Sequence, residues 1–232
     1  MPRLTFANNN FYHVYNRGVE KRKIFMDDYD YFRFIHDLFE FNDKNIVINI
    51  SRRISDKTEG NPIPFNKIRR QRELLVDIIC HCLMPTHFHV CLRQLVDGGI
   101  SKFMQKLGIG YTNYFNLKYE RSGVLFQGKF KAVPIDTDVQ LTHITRYIHL
   151  NPVELVEPNW KERGIKDWKK VKKYLESYRW SSYFDYIGKK NFPSLINKKF
   201  LFNYFDSEKE YQKFVKDWVL KDSKIIEDLT IE

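Results

Sequence analysis

Two periods of apolar residues alternate along this chain, and their order predicts its architecture. Phe11 to Asn16 is rich in β-forming residues and predicts a first strand. Asp27 then opens a helix that carries Tyr31, Phe34, Ile35, Leu38 and Phe39 on one face. Leu74 to Leu83 and His87 to Arg93 predict a hairpin. After the Gly98-Gly99 punctuation, Ile100, Phe103, Met104, Leu107, Tyr111, Phe115 and Lys118 trace a long helix that stops near Gly123. Gly108 and Gly110 lie inside it at a cost of ~1 kcal/mol each relative to Ala, which points to close packing or a bend. Lys129 to Ile135 is a further strand. Thr137 and Gln140 have capping-box spacing, Leu141, Ile144 and Ile148 form the buried stripe of the helix that follows, and Pro152 closes it. Strand, helix, strand, strand, helix, strand, helix is the ferredoxin-like α+β pattern with an extra helix: an antiparallel sheet with helices on one face.

This core is expected to occupy residues 1–155, with an insertion at about 45–72, and residues 156–232 to form a partly helical extension that is basic first and acidic at its end. From Asn49 to Arg72 the chain carries Arg52, Arg53, Lys57, Lys67, Arg69, Arg70 and Arg72 with Gly60, Pro62 and Pro64. That composition reads as a flexible basic loop that could clamp nucleic acid, or as a solvated insertion. Between Trp160 and Trp180, seven Lys or Arg fall at 161–173 against Glu162 and Asp167, with Trp168, Tyr174 and Tyr178 interleaved. Such a segment could guide a strand, or it could be a solvated helix whose aromatics pack on the domain. The last dozen residues are expected to fray.

The candidate chemistry starts at Met84-Pro85-Thr86-His87-Phe88-His89-Val90-Cys91-Leu92. On a strand, His87 and His89 project from one face while Phe88 and Val90 enter the core on the other. Two adjacent imidazoles make half a metal site, although a hairpin can also carry two histidines with no metal role. The predicted last helix adds a polar line, because His143, Tyr147 and Asn151 are spaced four apart. Singly, a helical tyrosine usually packs its ring and an Asn before Pro usually ends a helix. Together with the histidine pair they make a set suited to phosphodiester chemistry. A divalent cation on His87, His89 and the Asn151 amide could polarise a phosphate, and Tyr147 could attack it. The products would be a 5′-phosphotyrosine and a free 3′-hydroxyl, and rejoining would need no ATP.

Cys80 and Cys82 allow a duller reading, a structural zinc site with His87 and His89, although Cys-x-Cys spacing departs from usual zinc patterns. A three-residue hairpin loop, Met84 to Thr86, would pair residue 81 with 89 and 83 with 87. Both cysteines would then face away from the histidines. A one-residue change in the loop would reverse that. Three cysteines, with no apolar leader and no run of about 18 apolar residues, predict a reducing cytoplasm and no membrane span.

The motifs resemble those of the HUH endonucleases, and within them the single-tyrosine transposases of the REP-associated kind (the IS200-like family). The resemblance runs from about Phe11 to Asn151. It is carried by Tyr12-His13-Val14-Tyr15-Asn16-Arg17-Gly18, Leu83-Met84-Pro85-Thr86-His87-Phe88-His89, Gly123-Val124-Leu125-Phe126-Gln127-Gly128-Lys129-Phe130-Lys131 and Tyr147-Ile148-His149-Leu150-Asn151-Pro152-Val153, with a weaker echo in Tyr178-Arg179-Trp180-Ser181-Ser182-Tyr183. It implies a ferredoxin-like fold, metal ligands His87 and His89, a third ligand at Asn151, the nucleophile Tyr147, and Mg²⁺ or Mn²⁺ as cofactor. Two positions depart from the pattern. Thr86 stands where Asn is expected, and Asn151 where the better-known branch has Gln.

Charge adds support once the motifs are in place. The 232 residues carry a net charge of +10, with 14 Tyr and 19 Phe, a balance suited to a single strand whose phosphates meet cations and whose bases meet rings. A lysine-rich genome would produce the same balance. Arg17, Lys129, Lys131, Arg69, Arg70, Lys169 and Lys170 are the candidate DNA contacts. The expected partner is single-stranded or hairpin DNA, and the expected state a monomer rather than a homodimer. The alternatives are a non-catalytic hairpin-binding module of the same fold and an RNA-binding protein whose sheet aromatics stack bases.

Overall fold

Four antiparallel strands form the sheet of the computed structural model, which describes residues 4–45 and 72–221. They are β1 (Phe11–Arg17), β2 (Val76–Met84), β3 (His87–Gln94) and β4 (Lys131–Ile135), in the spatial order β2-β3-β1-β4. That is the ferredoxin-like order. The two crossover helices are α1 (Asp28–Glu40) and α2 (Gly99–Lys118). Asp27 caps α1 by accepting from the Asp30 backbone N–H, and α1 buries Tyr31, Phe34, Ile35 and Leu38 as its spacing predicts. Phe39, expected on that face, is only half-buried and has the Arg72 guanidinium over its ring.

One face of the sheet supplies Tyr12, Val14, Phe88, Val90 and Leu92 to a core shared with α1 and α2. The opposite face is also covered. Cys80, Cys82, Met84, Cys91 and Ile135 share a second core with Leu141, Ile144 and Ile148 of α3 (Asp138–Leu150) and with the C-terminal extension. The one-face arrangement therefore holds for the ferredoxin-like unit, while α3 and the extension occupy the other side. Thr137 and Gln140 make the expected capping box at the start of α3. Pro152 does not stop the helical turn outright. It sits in the first turn of a 3₁₀ segment, Asn151–Leu155, where its missing N–H is not needed.

The extension contributes α4 (Trp160–Arg163), α5 (Trp168–Leu175), α6 (Tyr183–Tyr186) and α7 (Glu208–Lys221). Residues 180–182 also cover the outer edge of β2, where the Leu83 N–H donates to the Trp180 carbonyl and the Ser182 N–H to that of His81. An exposed strand edge is thereby closed. The other edge strand, β4, contains Pro134, which a central strand would not tolerate. Gly110 meets the Phe41 ring, from which an added Cβ would lie 2.4 Å away, whereas Gly108 has nothing within 4 Å. The expectation of close packing in α2 thus holds at one glycine only.

The hairpin register differs from the three-residue-loop pairing. Met84 pairs with His87, Cys82 with His89 and Cys80 with Cys91, so the loop is Pro85-Thr86 alone. Cys80 and Cys82 accordingly share a face with the histidines. The loop is held from outside the hairpin: the Pro85 carbonyl accepts from the Ile24 and Phe25 N–H groups, and the Thr86 carbonyl from that of Gly18. Among the described residues, no helix is long and apolar enough to cross a membrane.

Candidate active site

Strands β1 and β3 and helix α3 bring three histidines and a tyrosine together on the second face of the sheet. The β1–β3 pairing places Tyr15 opposite His89 and Arg17 opposite His87, so side chains of both strands line one surface. The His87 and His89 ring centres lie 5.1 Å apart, nearly perpendicular. Tyr147 approaches edge-on, 5.8 Å from His89 and 6.0 Å from His13. Tyr147 is 3% exposed and His89 1%. The polar line predicted on α3 is therefore interior at Tyr147 and Asn151, while His143 lies further out, beside Phe214.

His13 belongs to the site although its motif carried no assigned role in the sequence. Its Nε2 lies 2.9 Å from His89 Nδ1, and its ring stacks on those of Tyr15 and His89. Burial lowers the His13 pKa to about 3, with the charge of Lys161 adding to the effect. His89 is held well below 6.5, first by burial and then by His13, His87 and Lys161. Both rings are neutral at physiological pH, the state a metal ligand requires. His87 Nδ1 contacts Thr86 Oγ1 at 3.0 Å. The contacts at both Nδ1 atoms fix the orientation of the two rings, and bonds of this kind orient histidines that ligate a metal.

Asn151 lies one turn beyond Tyr147 and is 4% exposed; its Nδ2 donates to the Tyr147 carbonyl at 3.1 Å. Its Oδ1 is the end of the amide that could meet a cation. Two neutral imidazoles and an amide oxygen are donor types that suit a divalent ion. The cysteines on this face do not extend the set. Burial raises the Cys82 thiol pKa, and the Cys80 thiol is raised by burial and by its bond to Cys91. Among the described residues, no three of His, Cys, Asp and Glu are placed to hold a metal ion.

The candidate DNA contacts divide by position. Arg17 is exposed and its guanidinium bonds Gln127. Lys131 lies over the Tyr15 ring at 5.9 Å, and Tyr15 stands 5.7 Å from His89, so both basic residues border the site. Lys129 is exposed just before β4, and Lys169 and Lys170 are exposed on α5. The aromatics of that segment pack inward: Trp168 lies against the second core, and Tyr178 Oη donates to the Leu83 carbonyl at 2.6 Å. Arg69 and Arg70, with the rest of the basic insertion from 46 to 71, lie outside the described residues.

One side chain that meets Tyr147 comes from beyond the motifs. Lys161 Nζ donates to Tyr147 Oη at 3.1 Å and lies 4.7 Å from the centre of its ring. In the sequence it is one of seven basic residues in a row of similar ones. Its distinguishing neighbour is Trp160, an anchor residue, which is 2% exposed.

Residues 65–151 match the family model described as "Transposase IS200 like". Over that span the chain is similar to these transposases, which bears out the resemblance carried by its motifs. A solved structure of a REP-associated tyrosine transposase bound to a REP hairpin is similar over 83% of this chain and 88% of that one, with a TM-score of 0.46 and 12% sequence identity. No curated protein matches the sequence.

Proposed function

We propose that this chain is a transposase that cuts and rejoins single-stranded DNA next to a hairpin, through a covalent 5′-phosphotyrosine on Tyr147. The observation that carries this reading is the edge-on placement of Tyr147, 5.8 Å from His89, by a helix and a strand far apart in sequence. His87, His89 and Asn151 would hold Mg²⁺ or Mn²⁺, whose charge polarises the scissile phosphate when bound. His13 keeps the His89 ring oriented. Arg17 and Lys131 border the site where they can meet the phosphates of a bound strand, and Lys129, Lys169 and Lys170 add positive charge further out. Arg69 and Arg70 are proposed as DNA contacts from the sequence alone.

Tyr147 exchanges one phosphodiester for another of similar energy, so rejoining needs no nucleotide cofactor. Action in cis by a monomer goes with this reading. A cytoplasmic, DNA-associated setting goes with this reading. The test is Tyr147→Phe, with cleavage of labelled single-stranded hairpin DNA in Mn²⁺ and hairpin binding measured together. Cleavage is expected to vanish with binding retained. Continued cleavage by the Phe variant would remove Tyr147 from the mechanism.

A further inference from the structure

The C-terminal extension reaches the phenolic oxygen of Tyr147 with Lys161, and the local backbone fixes where that side chain sits. The Asn159 backbone adopts the left-handed conformation (φ 60°) and its N–H donates to Glu154 Oε1 at 3.1 Å, which reverses the chain after the 3₁₀ segment. Trp160 then enters the second core, 6.2 Å from the Trp218 ring. Gly164, at φ 73°, ends the short helix. Lys161, next to the anchor, is left with its ammonium on the phenolic oxygen of Tyr147 at 3.1 Å.

Resting on the reading of Tyr147 as the nucleophile, we propose that Lys161 is a second catalytic residue. Its ammonium stabilises the negative charge that grows on the phenolic oxygen as Tyr147 attacks, and again as that oxygen departs during rejoining. On cleavage the Oη–P bond forms and the P–O3′ bond breaks. The phenolic proton passes to solvent and the 3′-oxygen takes one up, while Lys161 keeps its own proton throughout. Rejoining runs the same exchange in reverse. A charged donor held in place before the reaction needs no reorganisation when the charge develops, and such donors contribute strongly where water is excluded. The extension thereby completes the active site.

The test compares wild type, Lys161→Met, Lys161→Arg and Tyr147→Phe in single-turnover formation of the covalent adduct with a labelled single-stranded hairpin and Mn²⁺. Hairpin affinity is measured separately in EDTA. Met keeps the stem that packs on the ring, and Arg keeps the charge. Lys161→Met is expected to slow adduct formation and rejoining by about 10²-fold, by analogy with loss of one preorganised donor. Hairpin affinity should stay unchanged, and Lys161→Arg should recover most of the rate. A Lys161→Met rate equal to wild type, or a loss matched by an equal loss of hairpin affinity, overturns the assignment and leaves the Tyr147 reading intact. Absence of an adduct from the wild type overturns both.

Discussion

His81 on β2 is fully buried, and among the described residues neither of its ring nitrogens makes a hydrogen bond. Burial alone lowers its pKa from 6.5 to about 3. Between those two values the unfolded chain binds a proton at His81 that the folded chain refuses. Unfolding then takes up that proton, so stability is lost as pH falls below 6.5. Each pH unit in the window costs about 1.4 kcal/mol, and the loss between pH 8 and pH 5 comes to about 2 kcal/mol. His81→Leu removes this proton and also removes two unsatisfied polar atoms, a gain of about 1 kcal/mol at any pH. Urea titrations of both proteins at pH 8 and pH 5, followed by tryptophan fluorescence, isolate the effect, because every other titrating group is common to the two. The Leu variant is expected to be at least as stable at pH 8 and to lead by a further ~2 kcal/mol at pH 5. An equal difference at the two pH values would refute the reasoning.

Three further outcomes follow from packing and hydrogen bonding. Gly110→Ala drives a methyl group into the Phe41 ring and is expected to lower stability by about 1–3 kcal/mol, whereas Gly108→Ala, in open space, should raise it by up to about 1 kcal/mol in the same melts. His149 is buried with its two nitrogens 2.6 Å from Tyr211 Oη and 2.7 Å from Ser182 Oγ, which ties α3 to the extension. Tyr211→Phe should therefore cost about 1–3 kcal/mol in urea unfolding, and no change would show that this bond does not hold the extension. His13→Phe keeps the ring stack but removes the partner of His89 Nδ1, so Mn²⁺ affinity read by electron paramagnetic resonance should fall about 10–100-fold. Undiminished affinity would deny His13 its orienting role.

The elements were legible in the sequence because their signals are local. The Thr137–Gln140 capping box, the α1 stripe and the glycine pair before α2 each mark a boundary within a few residues. The hairpin register was not legible, since two- and three-residue loops both suit Pro85-Thr86. The choice depends on carbonyls bonded by Ile24, Phe25 and Gly18, which are distant in sequence. That one-residue difference moved Cys80 and Cys82 onto the histidine face. His87, His89 and Tyr147 could be grouped because strand and helix periods place side chains on faces. His13 and Lys161 could not be grouped with them: His13 needs the β1–β3 pairing, and Lys161 needs the burial of Trp160, both of which are tertiary facts.

The central claim is that Tyr147 becomes covalently joined to DNA. Purified protein is incubated with labelled single-stranded hairpin oligonucleotides and Mn²⁺ or EDTA, resolved on a denaturing gel, and any shifted band is digested and mapped by mass spectrometry. The account predicts a metal-dependent band whose nucleotide mass sits on the peptide containing Tyr147, and which is absent from Tyr147→Phe. Tight hairpin binding with no covalent band in either metal, or a nucleotide carried on another residue, would contradict it.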